Sequence, residues 1–454
     1  MVATVCRKRF KAIVLDGFAR SGRLKKDFEI LGEQMKKIAK LSLVAAVAVA
    51  GLTTANAQPL EEAIKNVDVS GSVVYRYNEI KNDTTNDETT GNKNHYKVAM
   101  NLSSKVNEDV KFNSRFIVGG ADSGFAALDS SDTSDQNVDV TLSNAYFGYT
   151  GIANTTVNVG KQGLTTPWTV AVDSDGNEQT GTGALALSTV GPVTLAAGYF
   201  NQTNLGSSGG MLTDGTNVSF IDNNSDGDYT FGTDDALALS SNGSIGSLDI
   251  ATVGAIATFE PVTLDAWYLD MQDTFDTYTI GAKAATDVSG IKLGADARWA
   301  SLKIDGDNDK NTIAKIALTA DAGLVDAKVA YAKTGKDGGL TALDADATTT
   351  LLGWNLTALN KTDADYWQAV LGFDILSNLN LSANYGNLEY EGADDADVDT
   401  TVEEEEIYAQ LLYKMSKNLN TYVRYGTYTK EFATAGDAGE TDGTAGRLQV
   451  EYTF

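Results

Sequence analysis

Beyond the first 60 or so residues, the chain is built from short segments in which apolar and polar residues alternate. Val73, Tyr75 and Tyr77 are separated by residues that include Arg76 and Asn78. The same alternation occurs in residues 95–102, 112–118 and 293–300. Successive side chains of a β-strand point to opposite faces, so a period of two predicts strands with one apolar and one polar face.

The connections between these segments are of two kinds. Short turns such as 104–109, 151–155 and 416–418 alternate with long acidic loops at 78–94, 119–137, 201–234, 391–404 and 430–446. Short connections on one side and long ones on the other are typical of outer-membrane barrels, and about 22 residues per strand and connection gives roughly 18 strands. We therefore predict an all-β protein, a transmembrane antiparallel β-barrel of about 16–18 strands with 18 favoured. Residues 304–379 alternate poorly and leave the count open.

A soluble secreted β-sandwich or solenoid would also contain strands of period two. The C-terminal ten residues favour the barrel. Leu448, Val450, Tyr452 and the terminal Phe454 place apolar groups on one face up to the carboxyl end. This segment resembles the last strand that outer-membrane barrels present to the barrel assembly machinery, and we expect Tyr452 and Phe454 to act as that assembly signal.

The N-terminal region predicts export. Three lysines between Met35 and Lys40 precede the apolar run 41–52 and the small-residue end Ala55-Asn56-Ala57, the order found in secretory signal peptides. The apolar run is too short to cross a bilayer as a helix, which needs about 20 residues. We therefore expect a misannotated N-terminal extension at 1–34, a signal peptide at 35–57 and an outer-membrane barrel at 58–454.

The exported part is strongly acidic. The residues after Ala57 hold 24 Lys and Arg against 57 Asp and Glu, a formal charge of −33. A charge of this sign repels nucleic acid and favours cations near the surface. The single cysteine, Cys6, lies in the leader. We therefore expect neither a disulfide nor a thiolate metal site in the mature chain.

Two segments resemble a known family. Residues 59–71 (PLEEAIKNVDVSG) resemble the mature start of the major outer membrane porin of Campylobacter and its relatives. Val159-Gly160-Lys161-Gln162, followed by Trp168 and Gly181-Thr182-Gly183, is also similar to that family. The resemblance implies a trimeric general porin of the outer membrane, with one loop folded into the lumen.

An open barrel of this size needs a constriction to discriminate between solutes. The segment Gly163–Gly181 follows the fifth predicted strand and carries Asp173, Asp175 and Glu178, which we predict to face cations of the pore wall. The predicted wall cations are Arg76, Lys97, Arg115, Arg298 and Arg424. The alternative is that the three acidic residues belong to an ordinary solvated loop.

A second acidic motif lies in the longest loop. Asp222, Asn224, Asp226 and Asp228 alternate, with a glycine at the sixth position, as at the start of an EF-hand calcium loop. The twelfth position is a threonine rather than the bidentate glutamate, and no flanking helices are evident. A weaker version occurs at 305–309. Bound Ca²⁺ is the one cofactor that these residues suggest, and solvated acidic turns are the alternative.

Enzymatic function is not indicated, because His95 is the sole histidine and no nucleophile–base pattern surrounds it. We predict a general diffusion porin for ions and small hydrophilic solutes that prefers cations. Its expected partners are outer-membrane lipid and two further copies of itself. The alternative from another class is an adhesin or structural barrel protein with acidic, calcium-binding surface loops.

Overall fold

The computed structural model describes residues 67–454 except 85–86, 121–122, 129–137, 175, 207, 209–217, 222–235, 240–245, 247, 273, 306–308, 394–398 and 434–439. The predicted extension at 1–34 and signal peptide at 35–57 lie outside these residues. No helix within the described ranges has the length and apolar character needed to cross a membrane.

The described chain forms 21 strands. They are β1 (Val67–Thr84), β2 (Asp87–Lys105), β3 (Val110–Gly119), β4 (Ala126–Ala127), β5 (Asp139–Ile152), β6 (Thr155–Gly163), β7 (Thr180–Val190), β8 (Val193–Thr203), β9 (Val218–Ile221), β10 (Ala236–Leu239), β11 (Ile250–Phe259), β12 (Val262–Met271), β13 (Phe275–Val288), β14 (Ile291–Ile304), β15 (Asn311–Asp321), β16 (Val325–Thr334), β17 (Thr362–Leu376), β18 (Leu379–Ala393), β19 (Asp399–Ser416), β20 (Leu419–Phe432) and β21 (Thr441–Thr453).

Eighteen of these strands form one closed antiparallel barrel, which confirms the predicted fold and the favoured strand count. Each barrel strand pairs with the next one along the chain, and β21 pairs with β1 to close the ring. The two-residue strand β4 extends the wall beside β2, while β9 and β10 form a separate two-stranded antiparallel sheet. A closed barrel leaves no unpaired strand edge, which is what a chain surrounded by lipid requires.

The two faces of the wall follow the sequence alternation. On β17, Trp367 is 51% exposed on the outside, whereas its neighbour Gln368 is 6% exposed on the inside. Large apolar side chains such as Val253, Ile280 and Leu371 are exposed on the outer surface. In a bilayer these groups contact acyl chains, and polar groups are left for the lumen.

Several predicted loops are instead continuations of strands. Residues 78–94 were expected to form a loop, but Asn78 pairs with Lys93 and the ladder continues to Thr84 opposite Asp87. Apart from Ile80 and Gly91, the sequence of this segment consists of polar residues, so its hydrophobic pattern disappears while its backbone pairing persists. Backbone hydrogen bonds do not require an apolar face, which is why side-chain alternation alone misplaced this boundary.

Two connections fold into the barrel. The first inward loop, residues 164–179, joins β6 to β7, and the second inward loop, residues 335–361, joins β16 to β17. Both loops pack against apolar wall residues in two buried clusters. One cluster includes Trp168 and Leu343 of the loops with Phe200 of the wall, and the other includes Leu356 of the second loop with Tyr366 of the wall. The second loop explains the poor alternation of residues 304–379: lumen-facing residues there contact a loop instead of water.

The chain end completes the ring. The backbone N–H of Phe454 donates to the carbonyl of Gly71 at 2.9 Å, and the N–H of Gly71 donates back to Phe454 at the same distance. The rings of Tyr452 and Phe454 stack with centroids 6.0 Å apart. The predicted assembly signal therefore lies at the seam between the last and first strands.

Candidate functional site

The first inward loop is attached to the barrel wall by a buried ion pair. On β3, the Nε of Arg115 donates to both carboxylate oxygens of Glu178 at 2.9 Å, and its Nη2 donates to Oε1 at 2.5 Å. The Arg115 side chain is 9% exposed and that of Glu178 is fully buried. Ser143 on β5 donates a further hydrogen bond to Glu178 at 2.6 Å. Because the carboxylate accepts hydrogen bonds from both Arg115 and Ser143, this pair fixes the position at which the loop meets the wall.

Two more cations of the wall hold the backbone of the same loop. The Nζ of Lys97 donates to the carbonyl oxygens of Asp173 and Gly176 at 2.8 and 2.9 Å. The Nη2 of Arg76 donates to the carbonyl of Ser174 at 3.1 Å. Arg76 lies on β1, Lys97 on β2 and Arg115 on β3. These three neighbouring strands therefore present a basic surface on which the loop lies.

The two inward loops contact each other across the lumen. The N–H of Leu343 donates to the carbonyl of Trp168 at 2.8 Å, and the side-chain amide of Gln179 donates to the carbonyl of Leu343 at 2.6 Å. Thr348 donates to the carbonyl of Pro167 at 3.0 Å. Movement of one loop away from the other therefore requires the hydrogen bonds between them to break.

The second inward loop has its own anchor on the wall. Glu406 of β19 is 2% exposed and accepts the backbone N–H groups of Trp354 and Asn355 at 2.9 and 2.7 Å. The amide of Asn355 adds a third hydrogen bond at 3.3 Å. Hydrogen bonds to a carboxylate are stronger than those between neutral groups, so Glu406 fixes the position of this turn.

Three carboxylates meet where the loops converge. One oxygen from each of Asp173, Asp344 and Asp346 lies within 4.8 Å of the others. We call this group the aspartate triad. Burial, and secondarily the neighbouring charges of Asp173 and Asp346, raise the pKa of Asp344 to about 7. The triad places acidic groups on the loops beside the basic wall, where Lys97 contacts the backbone of Asp173, and Asp346 is its exposed member.

The predicted wall residues divide into two groups. Arg76, Lys97 and Arg115 contact the first inward loop, as described above. Arg298 on β14 is paired instead with Asp265 at 2.7 Å, and Arg424 on β20 lies beside the second inward loop, with its guanidinium carbon 5.0 Å from the ring centre of Trp354.

The predicted acidic residues are only partly described. Asp173 and Glu178 lie in the first inward loop with 4% and 0% of their surface exposed. Asp175 lies outside the described residues, and so does the calcium-loop motif at 222–228. Their roles stay predictions.

Sequence reasoning missed the second inward loop and the groups that it brings together. Residues 335–361 are rich in Leu, Ala and Thr rather than in acidic residues, so they did not match the acidic-loop pattern. The available signal was the gap in alternation itself, which is too long for a short turn. Glu406 lies in the run Glu403–Glu406, in which strand phase assigns a face but no partner.

Comparison with known proteins shows which family and which solved structures the chain resembles. A family model described as Campylobacter major outer membrane protein matches residues 35–454. No curated protein matches the sequence significantly. Among solved structures, the outer membrane proteins OpdK and OpdQ of Pseudomonas aeruginosa superpose with TM-scores of 0.61 each, at 14% and 17% sequence identity. Each match covers 85% of this chain and 99% of the other. OccK2 (OpdF) of the same organism gives 0.62 at 14% identity, covering 85% and 98%. At these identities the similarity shows the fold.

Proposed function

Because this chain belongs to the Campylobacter major outer membrane protein family, a multi-pass barrel of the outer membrane, we propose that it is a general diffusion porin. Its solutes are ions and small hydrophilic molecules, and it prefers cations. The family and the porin-like barrel fold support a channel rather than an enzyme.

The observation that carries the proposal is the arrangement of the two inward loops. A barrel of 18 strands is wide enough to enclose water, so solute discrimination requires something that narrows it. The two loops lie inside the ring, contact each other through Trp168 and Leu343, and are each attached to the wall by a buried carboxylate. A narrowing built from attached loops stays in place while solutes pass.

The preference for cations follows from which charges are neutralised. Arg115 is paired with Glu178, and Arg298 with Asp265, so two of the wall cations carry no net local charge. The aspartate triad gathers three carboxylates where the loops meet. Within the low-dielectric surroundings of a narrow passage, such a group raises the local cation concentration and repels anions.

The test is conductance of the protein purified from outer membranes, reconstituted in a planar bilayer under a potassium chloride gradient. We expect ohmic steps and a reversal potential of the sign that indicates cation flow. Heat-unfolded protein from the same preparation controls for leakage. A bilayer that stays sealed after verified insertion would contradict the porin proposal and favour the adhesin alternative.

We further propose that the barrel functions as a homotrimer, as its family resemblance implies. Three pores that insert together produce conductance steps in groups of three. Light scattering of the detergent-solubilised protein measures the mass independently. A mass of one chain with single steps would contradict the trimer and leave the channel proposal intact.

A further inference from the structure

The two inward loops do not cover the inner face of the barrel wall equally. Arg115, beneath the first loop, is 7% exposed, and Tyr366, beneath the second loop, is fully buried. On β20 and β21, the lumen-facing Arg424 and Arg447 are instead half-exposed. Their guanidinium carbons nevertheless lie only 5.0 and 6.0 Å from the centre of an aromatic ring of the second loop. Among the described residues, this strip of the wall therefore borders open lumen at the depth of the loops.

The strip on β20 and β21 lies between the places at which the two loops meet the wall. On one side, Arg76 of β1 donates to the carbonyl of Ser174 in the first loop, and β1 pairs with β21. Ser174 itself is exposed. On the other side, Glu406 of β19 accepts the backbone N–H of Trp354 in the second loop, and β19 pairs with β20. The opening is therefore bounded by one loop at each side and by the wall.

The junction between the two loops is closed by comparison. Trp168 and Leu343, which join the loops through a backbone hydrogen bond, are both buried, and so is Asp344. Asp346 is the exposed member of the aspartate triad and lies beside Asp173 of the first loop. A solute that crossed at the junction would have to break the contacts between the loops. The triad therefore borders the opening through Asp346 and does not enclose it.

Trp354 is held over the strip both by its backbone and by its ring. The ring lies 5.1 Å from that of Tyr408 in an edge-on arrangement, and the guanidinium carbon of Arg424 lies 5.0 Å from the centre of the indole. Arg424 donates two hydrogen bonds to Gln410, and its charge acts on the Glu406 carboxylate that holds the Trp354 backbone. A cation that faces an aromatic ring attracts it, so the indole has a fixed position.

We propose that the open passage through the barrel is off-centre, along β20 and β21, and that the side chain of Trp354 sets its width. Solutes cross between the indole and the first loop at Ser174, past Arg447 on the wall. The indole is large and uncharged, so it selects solutes by size, whereas the charged groups select ions. This inference rests on the proposed channel function and names a residue that limits the size of the solute.

The first test measures the width of the passage with neutral polymers. Polyethylene glycols of increasing mass are added to both sides of a planar bilayer that contains the channel. A polymer that enters the passage lowers the conductance, and a polymer that is too large leaves it unchanged. We expect the exclusion limit to shift to larger polymers in Trp354→Ala. The shift should be smaller in Trp354→Phe, which keeps an aromatic ring.

The matched control is Trp367→Ala. Trp367 is a tryptophan on the outer face of β17, where it is 51% exposed towards the lipid. Its removal should leave the exclusion limit of the parent unchanged. An exclusion limit that does not shift in Trp354→Ala, or that shifts equally in Trp367→Ala, overturns the proposal.

The second test places a thiol at the same position. No cysteine follows Cys6 in the sequence, so Trp354→Cys introduces the single thiol of the exported chain. A bulky methanethiosulfonate reagent added to the conducting channel should lower the current, and a reductant should restore it. Trp367→Cys, treated in the same way, should conduct as before. Failure of the reagent to label Trp354→Cys, or labelling that leaves the current unchanged, overturns the proposal.

Labelling of Trp354→Cys in the folded, detergent-solubilised protein gives a readout that does not need conduction. Rapid labelling in a protein that does not conduct would support the position of residue 354 beside open lumen and contradict the channel function. Conduction through a Trp354→Cys channel that resists the reagent would contradict the role of Trp354 alone.

Discussion

Arg115 on the barrel wall and Glu178 in the first inward loop form an ion pair that is almost closed to solvent, with three N–H···O contacts between the two side chains. Their positions are 63 residues apart in the sequence. The pair joins a strand to a loop that would otherwise cross the lumen attached at its two ends and by backbone hydrogen bonds. The pair is energetically important because removal of one partner leaves the other as an unpaired buried charge.

Glu178→Ala is expected to loosen the first inward loop. Removal of one partner of a buried pair leaves an uncompensated charge and costs about 3–5 kcal/mol. The strands of the closed barrel stay paired, so most of this free-energy cost should act on the loop. We therefore expect the loop to detach locally from the wall. We expect larger and noisier single-channel currents. We also expect the folded band to disappear at a lower temperature when heated samples are run on a gel.

The matched control for that variant is Lys292→Gln. Lys292 and Asp321 form an exposed ion pair at 3.2 Å, with 74% and 45% of the side chains accessible. Exposed pairs are screened by water and salt, so this change should leave current and unfolding temperature the same within error. If both variants behave alike, the buried pair does not hold the loop.

Glu406→Ala should release the second inward loop, because the N–H groups of Trp354 and Asn355 lose their shared acceptor. Each buried donor left without a partner costs about 1–3 kcal/mol. The expected result is an increase in conductance. Glu403→Ala, a change on the opposite face of the same strand, is the control and should conduct like the parent.

The effects of the two loop variants should not add. Leu343 and Trp168 connect the loops by a backbone hydrogen bond, and Gln179 adds a second contact. Groups that share partners show interaction energies of about 0.5–3 kcal/mol in double-mutant cycles. The double variant Glu178→Ala/Glu406→Ala should therefore show a change in unfolding free energy that differs from the sum of the single changes. A sum that holds within about 0.3 kcal/mol would mean that the loops are independent.

The parts of this site that could be predicted are those that depend on sequence patterns among residues close together in the chain. Strand phase is local, so the lumen-facing positions of Arg76, Lys97 and Arg115 could be inferred from neighbours two residues away. The length and acidity of the segment after Lys161 pointed to the first inward loop. The contact of Leu343 with Trp168 joins residues far apart in the chain, and no short-range pattern encodes it.

The aspartate triad illustrates the same limit. Asp173 belonged to a recognisable acidic loop, whereas Asp344 and Asp346 lie in an apolar segment whose function depends on where it folds. The pKa of Asp344 is set by burial, which only the folded barrel creates. Sequence could therefore predict one member of the triad as a constriction residue but not its chemical environment.

Cation preference should depend on pH through Asp344. Its pKa of about 7 means that the carboxyl is mostly neutral at pH 5.5 and charged at pH 8.5. The ratio of potassium to chloride permeability, obtained from the reversal potential, should therefore rise between these values. Asp344→Asn should have a low ratio with little change in this range. A parent ratio that does not vary with pH would contradict the assignment.

The same shift has a consequence for stability with the opposite sign. The folded pKa of Asp344 lies above the usual value of 3.8, so the folded state binds more protons than the unfolded chain between about pH 4 and 7. Its contribution to stability is fully present below pH 4 and is lost as the pH rises through 7. The second inward loop should accordingly exchange backbone amide hydrogens faster, relative to the intrinsic rate, at pH 8 than at pH 6. Asp344→Asn should remove this difference.

Loss of the Phe454 ring should reduce assembly more than it reduces the stability of barrels already formed. The residue closes the seam through two backbone hydrogen bonds with Gly71, which are two among the many of the β1–β21 ladder. If its ring is also read by the barrel assembly machinery, Phe454→Ala should lower the amount of folded protein in the outer membrane while preserving the unfolding temperature of the fraction that folds. Leu448→Ala, six residues earlier on the same strand, is the control for lost outward apolar surface. Equal yields for the two variants would mean that the terminal ring acts only as lipid-facing surface.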